Sequence, residues 1–374
     1  MRTAVLFLAL VYAVGSAVVA QSRPRAREIG IAPGIYPPGA KNAITDVAGL
    51  RVGHTTVIEG ENVRTGVTVV LPHTGNLFQD KVAGAVFVGN AFGKLAGSTQ
   101  VNELGTIETP IVLTNTLSVG VAIDAVVRYT LRREGNEQVR SVNALVGETN
   151  DGGLNDIRGL HITGQHVLDA IRFATAGPVE EGSVGAGTGT ILYGWKGGIG
   201  TSSRVLPNGY VVGVLAQANF GGTLTIAGVP IFKLLQPSSR AAVSRSPGSD
   251  PADGDGSCIL VVATDAPLDA RDLRRLAARA VFGLGRTGSS FSNGSGDYAI
   301  ALSTSLEVRS RAGDSMPRSR QILPTDAVSP FFQAALEATE EAIYNALFKA
   351  TAVRSSIGTA EAIPIERVRA LLSR

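Results

Sequence analysis

The chain has 374 residues, enough for one large domain or two ordinary ones. With 44% hydrophobic and 17% charged residues it has a globular composition, and its 45 glycines predict many tight turns between short strands. A net charge of +3 with no Lys/Arg run longer than a pair provides no polyanion-binding face, which argues against nucleic acid as a partner.

The first twenty residues read as a cleaved signal peptide. Arg2 supplies the positive start, Ala4 to Val14 is an uninterrupted apolar run, and Val18-Val19-Ala20 offers small residues to a signal peptidase. The competing reading is an uncleaved anchor, because apolar character persists for about 18 residues, near the lower limit for a bilayer span. No later segment is long and apolar enough to span a membrane. An exported protein is therefore expected, periplasmic or secreted and soluble once mature.

Residues 21 to 45 are rich in Arg, Pro and Gly and predict an extended lead-in. Strand patterns follow at Thr65 to Leu71 and Ala83 to Val88, then a helix from Val121 to Arg133. A strand over Ser141 to Val146 leads into the polar segment Gly147-Glu-Thr-Asn-Asp-Gly-Gly-Leu-Asn-Asp156, and Gly209 to Gln217 is again strand-like. From Gln236 to Gly256 the chain has almost nothing to bury, and it ends abruptly at Ser257-Cys-Ile-Leu-Val-Val-Ala-Thr264. That run is apolar enough for a strand buried on both faces. A helix starts near Asp269, a strand covers Asp297 to Thr304, and a last long helix begins at Ser329-Pro330 with the serine as its cap. One interleaved α/β domain is expected over residues 21 to 374.

Several familiar chemistries fail on inspection. The glycines of 185–189 and 194–200 suggest a nucleotide loop, but no acidic residue lies between Glu181 and Asp250 to hold a ribose. His54, His73, His161 and His166 lack zinc-helix spacing, and no serine sits in a Gly-x-Ser-x-Gly elbow. The single cysteine, Cys258, precludes an internal disulfide and fits a buried strand thiol better than a nucleophile.

If the chain is a hydrolase, its general base can be an α-amino group. An N-terminal serine carries its own amine, whose pKa of about 7.7–8.0 lies near the working pH. This requires cleavage before the serine. Gly256 ahead of Ser257 suits such a cut, since glycine tolerates a strained backbone at the attacked carbonyl. The position of the pair, between a loop with nothing to bury and a core strand, singles it out.

At Ser257-Cys-Ile-Leu-Val-Val-Ala-Thr-Asp-Ala-Pro-Leu268 the chain resembles the start of the small subunit in the L-aminopeptidase/D-amidase-esterases and β-peptidyl aminopeptidases. Gly285-Arg-Thr-Gly288 and Asn293-Gly-Ser-Gly-Asp297 resemble the next motif of that family. Upstream, Gly49-Leu-Arg-Val-Gly-His-Thr-Thr56, the 147–156 segment, Gly197-Gly-Ile-Gly-Thr-Ser-Ser203 and Gln217-Ala-Asn-Phe-Gly221 match in order.

The resemblance implies an α/β (α+β) fold, an αββα sandwich layered like the N-terminal nucleophile hydrolases but differently connected. It implies self-cleavage at Gly256-Ser257 into subunits 21–256 and 257–374, often assembled as a tetramer of such pairs. Ser257 matches the nucleophile, Ser295 and Asp297 a Ser-x-acid pair supporting it and its amine, and Asn219 an oxyanion-holding amide. Glu148 matches a carboxylate that binds the substrate ammonium. The substrates implied are small peptides, amides or esters with a free amine, with no metal or organic cofactor. One departure stands out: where well-known members carry tyrosine two residues after that glutamate, this chain has Asn150. The alternatives are a self-processing acyltransferase of similar layering, such as the ornithine acetyltransferases, and an inactive periplasmic binding protein.

Overall fold

The computed structural model describes residues 23–237 and 256–373. The expected signal segment and most of the 236–256 loop lie outside the described residues.

Two sheets form the centre. The first runs in the order Arg51–Glu59, Val63–Leu71, Ile111–Asn115, Leu145–Thr149, Leu95–Ala96. The second runs Gly198–Val205, Val211–Asn219, Ser257–Thr264, Gly296–Ser303, Asp80–Ala91, Ser310–Arg311, with Thr106–Ile107 also pairing on Asp80–Ala91. Helices Val119–Leu131 and Gly164–Arg172 cover the outer face of the first sheet, and Ala270–Thr287 and Ser329–Lys349 that of the second. The αββα layering anticipated from the sequence is thus present.

Side-chain alternation explains the layers. On the Ser257 strand, Cys258, Leu260 and Val262 enter the core beneath the two long helices, while Ile259, Val261 and Ala263 enter the core between the sheets. All eight residues of Ser257–Thr264 are buried, as a strand covered on both faces must be. Burial of Ile259, Leu260, Val261 and Val262 contributes about 1.5–3 kcal/mol each to holding this strand in the sheet.

Three sequence expectations need adjustment. The strand placed over 141–146 is Leu145–Thr149, because parallel pairing with Ile111–Asn115 sets its register from Ile111↔Leu145 to Asn115↔Thr149. Glu148 therefore lies inside a strand instead of a loop. Gly209 belongs to the turn before Val211–Asn219, with a left-handed φ of 86°. Ser329 is the first residue of its helix, and the cap position is Val328. Asp269, in contrast, does cap its helix, accepting from the Asp272 N–H.

Candidate active site

Ser257 opens its strand at the junction of two pairings: it lies opposite Asn219 on the antiparallel side and opposite Gly296 on the parallel side. It is buried, and strand alternation turns its hydroxyl toward the space between the sheets. The Ser257 Oγ accepts from the Gly296 N–H at 3.2 Å, and the same N–H lies 3.2 Å from the Gly256 carbonyl oxygen. One donor thus contacts both the hydroxyl and the carbonyl that precedes it.

Gly256 is required for space, not for a strained φ. A Cβ there would stand 2.2 Å from the Asn219 carbonyl oxygen and 2.5 Å from the Phe220 Cα. Its φ is outside the left-handed region, so the strained-backbone expectation is corrected.

The Asn219 side chain shares the Ser257 face, because directly opposed residues in an antiparallel pair project together. Its Nδ2 donates to the Asn150 carbonyl at 3.0 Å, and its Oδ1 accepts from the Ile191 N–H at 2.8 Å. Both ends of the amide are thereby fixed, and one Nδ2 hydrogen remains for another acceptor. The turn that presents Ile191 closes on the buried Lys196, whose Nζ donates to the Gly187 and Gly197 carbonyls at 2.8 and 2.7 Å. Burial pushes that ammonium down to about 7, and the Asp151 carboxylate pulls it back up.

Asn150 takes part through its backbone. Its side chain is exposed, and its Oδ1 accepts from the Gly152 N–H at 2.9 Å in a local turn. The tyrosine position noted in the sequence is therefore filled by a residue whose carbonyl, rather than its side chain, meets Asn219.

Glu148 is buried in its strand, and its Oε1 accepts from the Lys94 N–H at 2.9 Å and pairs with the Lys94 Nζ at 3.3 Å. A side chain on Gly93 would begin 3.1 Å from this oxygen, 3.4 Å from the Tyr298 Cε2 and 3.5 Å from the Gly296 Cα. The carboxylate thus shares one small space with the residue that holds Ser257. Tyr298 walls this space, its phenol pushed up first by burial and then by the Glu148 and Asp297 charges.

Ser295 and Asp297 are both buried, but Asp297 makes no hydrogen bond to the Ser257 hydroxyl. It pairs in register with Cys258, and alternation with Tyr298 and Ile300 sends its side chain to the helix side of the sheet. Neither carboxylate oxygen has a hydrogen-bond partner within normal distance. Burial raises the group to about 6, and the Ser295 hydroxyl beside it pulls the other way. An unpaired buried carboxylate is costly and marks a group awaiting a proton or a cation. Cys258 is fully buried, and burial raises its thiol well above the ordinary range, so it offers no thiolate.

Lys94, Tyr298 and the Gly296 N–H are not among the residues selected from the sequence. Gly296 lies within the Asn293–Asp297 motif, whereas nothing in the composition around Lys94 or Tyr298 distinguishes them.

Residues 42–360 match peptidase family S58. The chain is 42% identical to the β-peptidyl aminopeptidase BapA of Sphingosinicella microcystinivorans, over 94% of this chain and 92% of the relative. A β-aminopeptidase structure from Burkholderia sp. superposes with a TM-score of 0.84 at 39% identity, covering 94% of this chain and 98% of its own. The L-aminopeptidase D-Ala-esterase/amidase of Ochrobactrum anthropi also superposes with a TM-score of 0.84, at 37% identity and with coverage of 94% and 98%. That protein is described as a prototype of the serine aminopeptidases and a new variant of the Ntn hydrolase fold.

Proposed function

Because the chain belongs to peptidase family S58 and is an aminopeptidase, we propose that its nucleophile is Ser257, freed as an N-terminal residue when the chain cuts its own Gly256–Ser257 bond. Aminopeptidase activity displaces the acyltransferase alternative. The observation that carries the self-cleavage reading is the Gly296 N–H, which touches the Ser257 hydroxyl and the Gly256 carbonyl together.

Self-cleavage proceeds as an acyl shift. The Ser257 Oγ attacks the Gly256 carbonyl carbon while the Gly296 N–H stabilises the oxygen that gains charge. The C–N bond breaks, the hydroxyl proton passes to the departing nitrogen, and an ester joins Gly256 to the serine. Water hydrolyses the ester to a Gly256 carboxylate and a free Ser257 bearing hydroxyl and amine. The buried apolar run behind Ser257 keeps the small subunit in the sheet.

Turnover reuses the same parts. The new amine takes the Ser257 hydroxyl proton as the oxygen attacks a substrate carbonyl. The vacated Gly296 N–H and the Asn219 amide hold the oxyanion, the amine delivers its proton to the leaving nitrogen as the acyl C–N bond breaks, and water then hydrolyses the ester on Ser257 to release the acid and restore the hydroxyl. Asp297 and Ser295, one register step from the new terminus, give the ammonium form a partner. Glu148 holds the substrate ammonium, which selects small peptides, amides or esters with a free N-terminus, β-linked ones included.

Export of the chain with loss of residues up to about Ala20 belongs to the same proposal, as does assembly of cleaved pairs into a homo-oligomer. Exposed Phe92, Leu117 and Phe173 leave apolar surface for such contacts. N-terminal sequencing should begin near Gln21 and, for the second fragment, at Ser257. The intact mass of a Ser257→Ala variant tests the chemistry: one chain is expected, and two fragments at the same bond would assign the cut to an external protease.

A further inference from the structure

The amine-binding space around Glu148 already contains a cation. The Lys94 Nζ lies 3.3 Å from the Glu148 Oε1 and donates to the Thr116 Oγ1 at 2.7 Å, while the lysine side chain remains half exposed. A substrate carrying only an ammonium must share one carboxylate with this lysine, cation against cation. A substrate carrying a carboxylate on the same carbon as its ammonium avoids the conflict. Laid across the pair, its ammonium meets Glu148 and its carboxylate meets Lys94, both as charge-assisted contacts. Gly93 places no side chain beside the Glu148 Oε1, where a Cβ would stand 3.1 Å away, and the Tyr298 ring lies alongside.

We propose that Lys94 and Glu148 together recognise a zwitterionic head group, so that the enzyme cleaves β-aspartyl amides and peptides. In these the residue to be released carries its amine and carboxylate on one carbon and the scissile carbonyl two carbons away. This deepens the reading of Glu148 as the ammonium anchor and rests on it. The reaction is ordinary hydrolysis: the acyl C–N bond breaks, water supplies hydroxyl to the acyl carbon and a proton to the leaving amine, and free aspartate is released.

The test compares two matched chromogenic probes, L-aspartic acid β-(p-nitroanilide) and 3-aminobutanoic acid p-nitroanilide, in which methyl replaces the carboxylate. The processed parent should favour the carboxylate-bearing probe in kcat/KM. Lys94→Met should lower the ratio of the two values by about 10²-fold, the scale of one lost charge-assisted contact, and Lys94→Arg should restore most of it. A parent that fails to cleave the β-aspartyl probe, or a ratio that Lys94→Met leaves unchanged, overturns the proposal. Glu148→Gln separates this from the underlying reading. Parent rates on both probes would refute the ammonium anchor itself, whereas loss on both with a ratio indifferent to Lys94 refutes only the zwitterion site.

Discussion

Asn219 and Ser257 face each other across adjacent antiparallel strands, and the asparagine amide is clamped by Ile191 at its oxygen and by Asn150 at its nitrogen. A donor held this firmly needs no reorganisation as charge develops on a carbonyl beside Ser257. Asn219→Ala should lower kcat on unblocked aminoacyl amides by about 10²–10³-fold, the usual scale for one oxyanion donor. The pair of Ile191 N–H and Asn150 carbonyl would lose its partner, so the melting temperature should be recorded alongside. A folded variant with parent kcat would show that the amide only braces the loop.

Gly256 should resist substitution for steric reasons. An alanine Cβ would meet backbone atoms of Asn219 and Phe220, and neither can swing aside as a flexible side chain would. The displaced carbonyl would leave the Gly296 N–H. Gly256→Ala should therefore slow self-cleavage by about 10-fold or more, equivalent to roughly 1.4 kcal/mol of lost transition-state stabilisation. The half-time for appearance of the two fragments measures this, and an unchanged half-time would mean that the close packing is not part of the cleavage geometry.

What the sequence makes legible follows from where the physical signal is local. Ser257–Thr264 is readable as a doubly buried strand because eight apolar or small residues stand together beside a polar loop. The helix starting after Asp269 is readable because a cap and an apolar stripe coincide. Leu145–Thr149 is displaced from its expected place because its bounds depend on pairing with Ile111–Asn115, a partner that local composition does not specify. Gly256 is marked in the sequence by its place ahead of a core strand, whereas the close approach of Asn219 and Phe220 that excludes a side chain there is invisible until strands are placed. Asp297 is marked by its motif, yet its side chain lies on the helix side of the sheet, a consequence of strand alternation. Lys94 and Tyr298 reach Glu148 only through the fold.

Substrate capture and self-cleavage should separate at Glu148. Cleavage brings in no external amine, so Glu148→Gln should still yield two fragments. The variant keeps an acceptor oxygen for the Lys94 N–H, which preserves the strand end. Its kcat/KM on unblocked amides should fall by about 10²-fold, the scale of losing a charge-assisted contact of roughly 1.5–3 kcal/mol. N-acetylated amides should be poor substrates for both forms. Normal processing with parent rates on unblocked amides would place the ammonium anchor elsewhere.

Asp297 should reveal itself in the pH dependence of stability. Its folded-state pKa of about 6 lies above the ordinary carboxylate value of 3.8, so the folded chain binds this proton more tightly than the unfolded chain does. Stability from this group is therefore complete below pH 3.8 and is lost as pH rises through about 6, at about 1.4 kcal/mol per unit of displacement. A neutral amide in the same place would have no charge to bury. In the uncut Ser257→Ala background, where no new ammonium exists to pair with the carboxylate, Asp297→Asn should melt higher than its parent at pH 7.5. That advantage should shrink toward pH 4.5, where the aspartic acid is itself largely protonated in the fold. Thermal melts of both proteins at the two pH values decide the matter: a gap that is equal at both, or larger at pH 4.5, would mean that Asp297 is not a destabilised, unpaired carboxylate in the uncut chain.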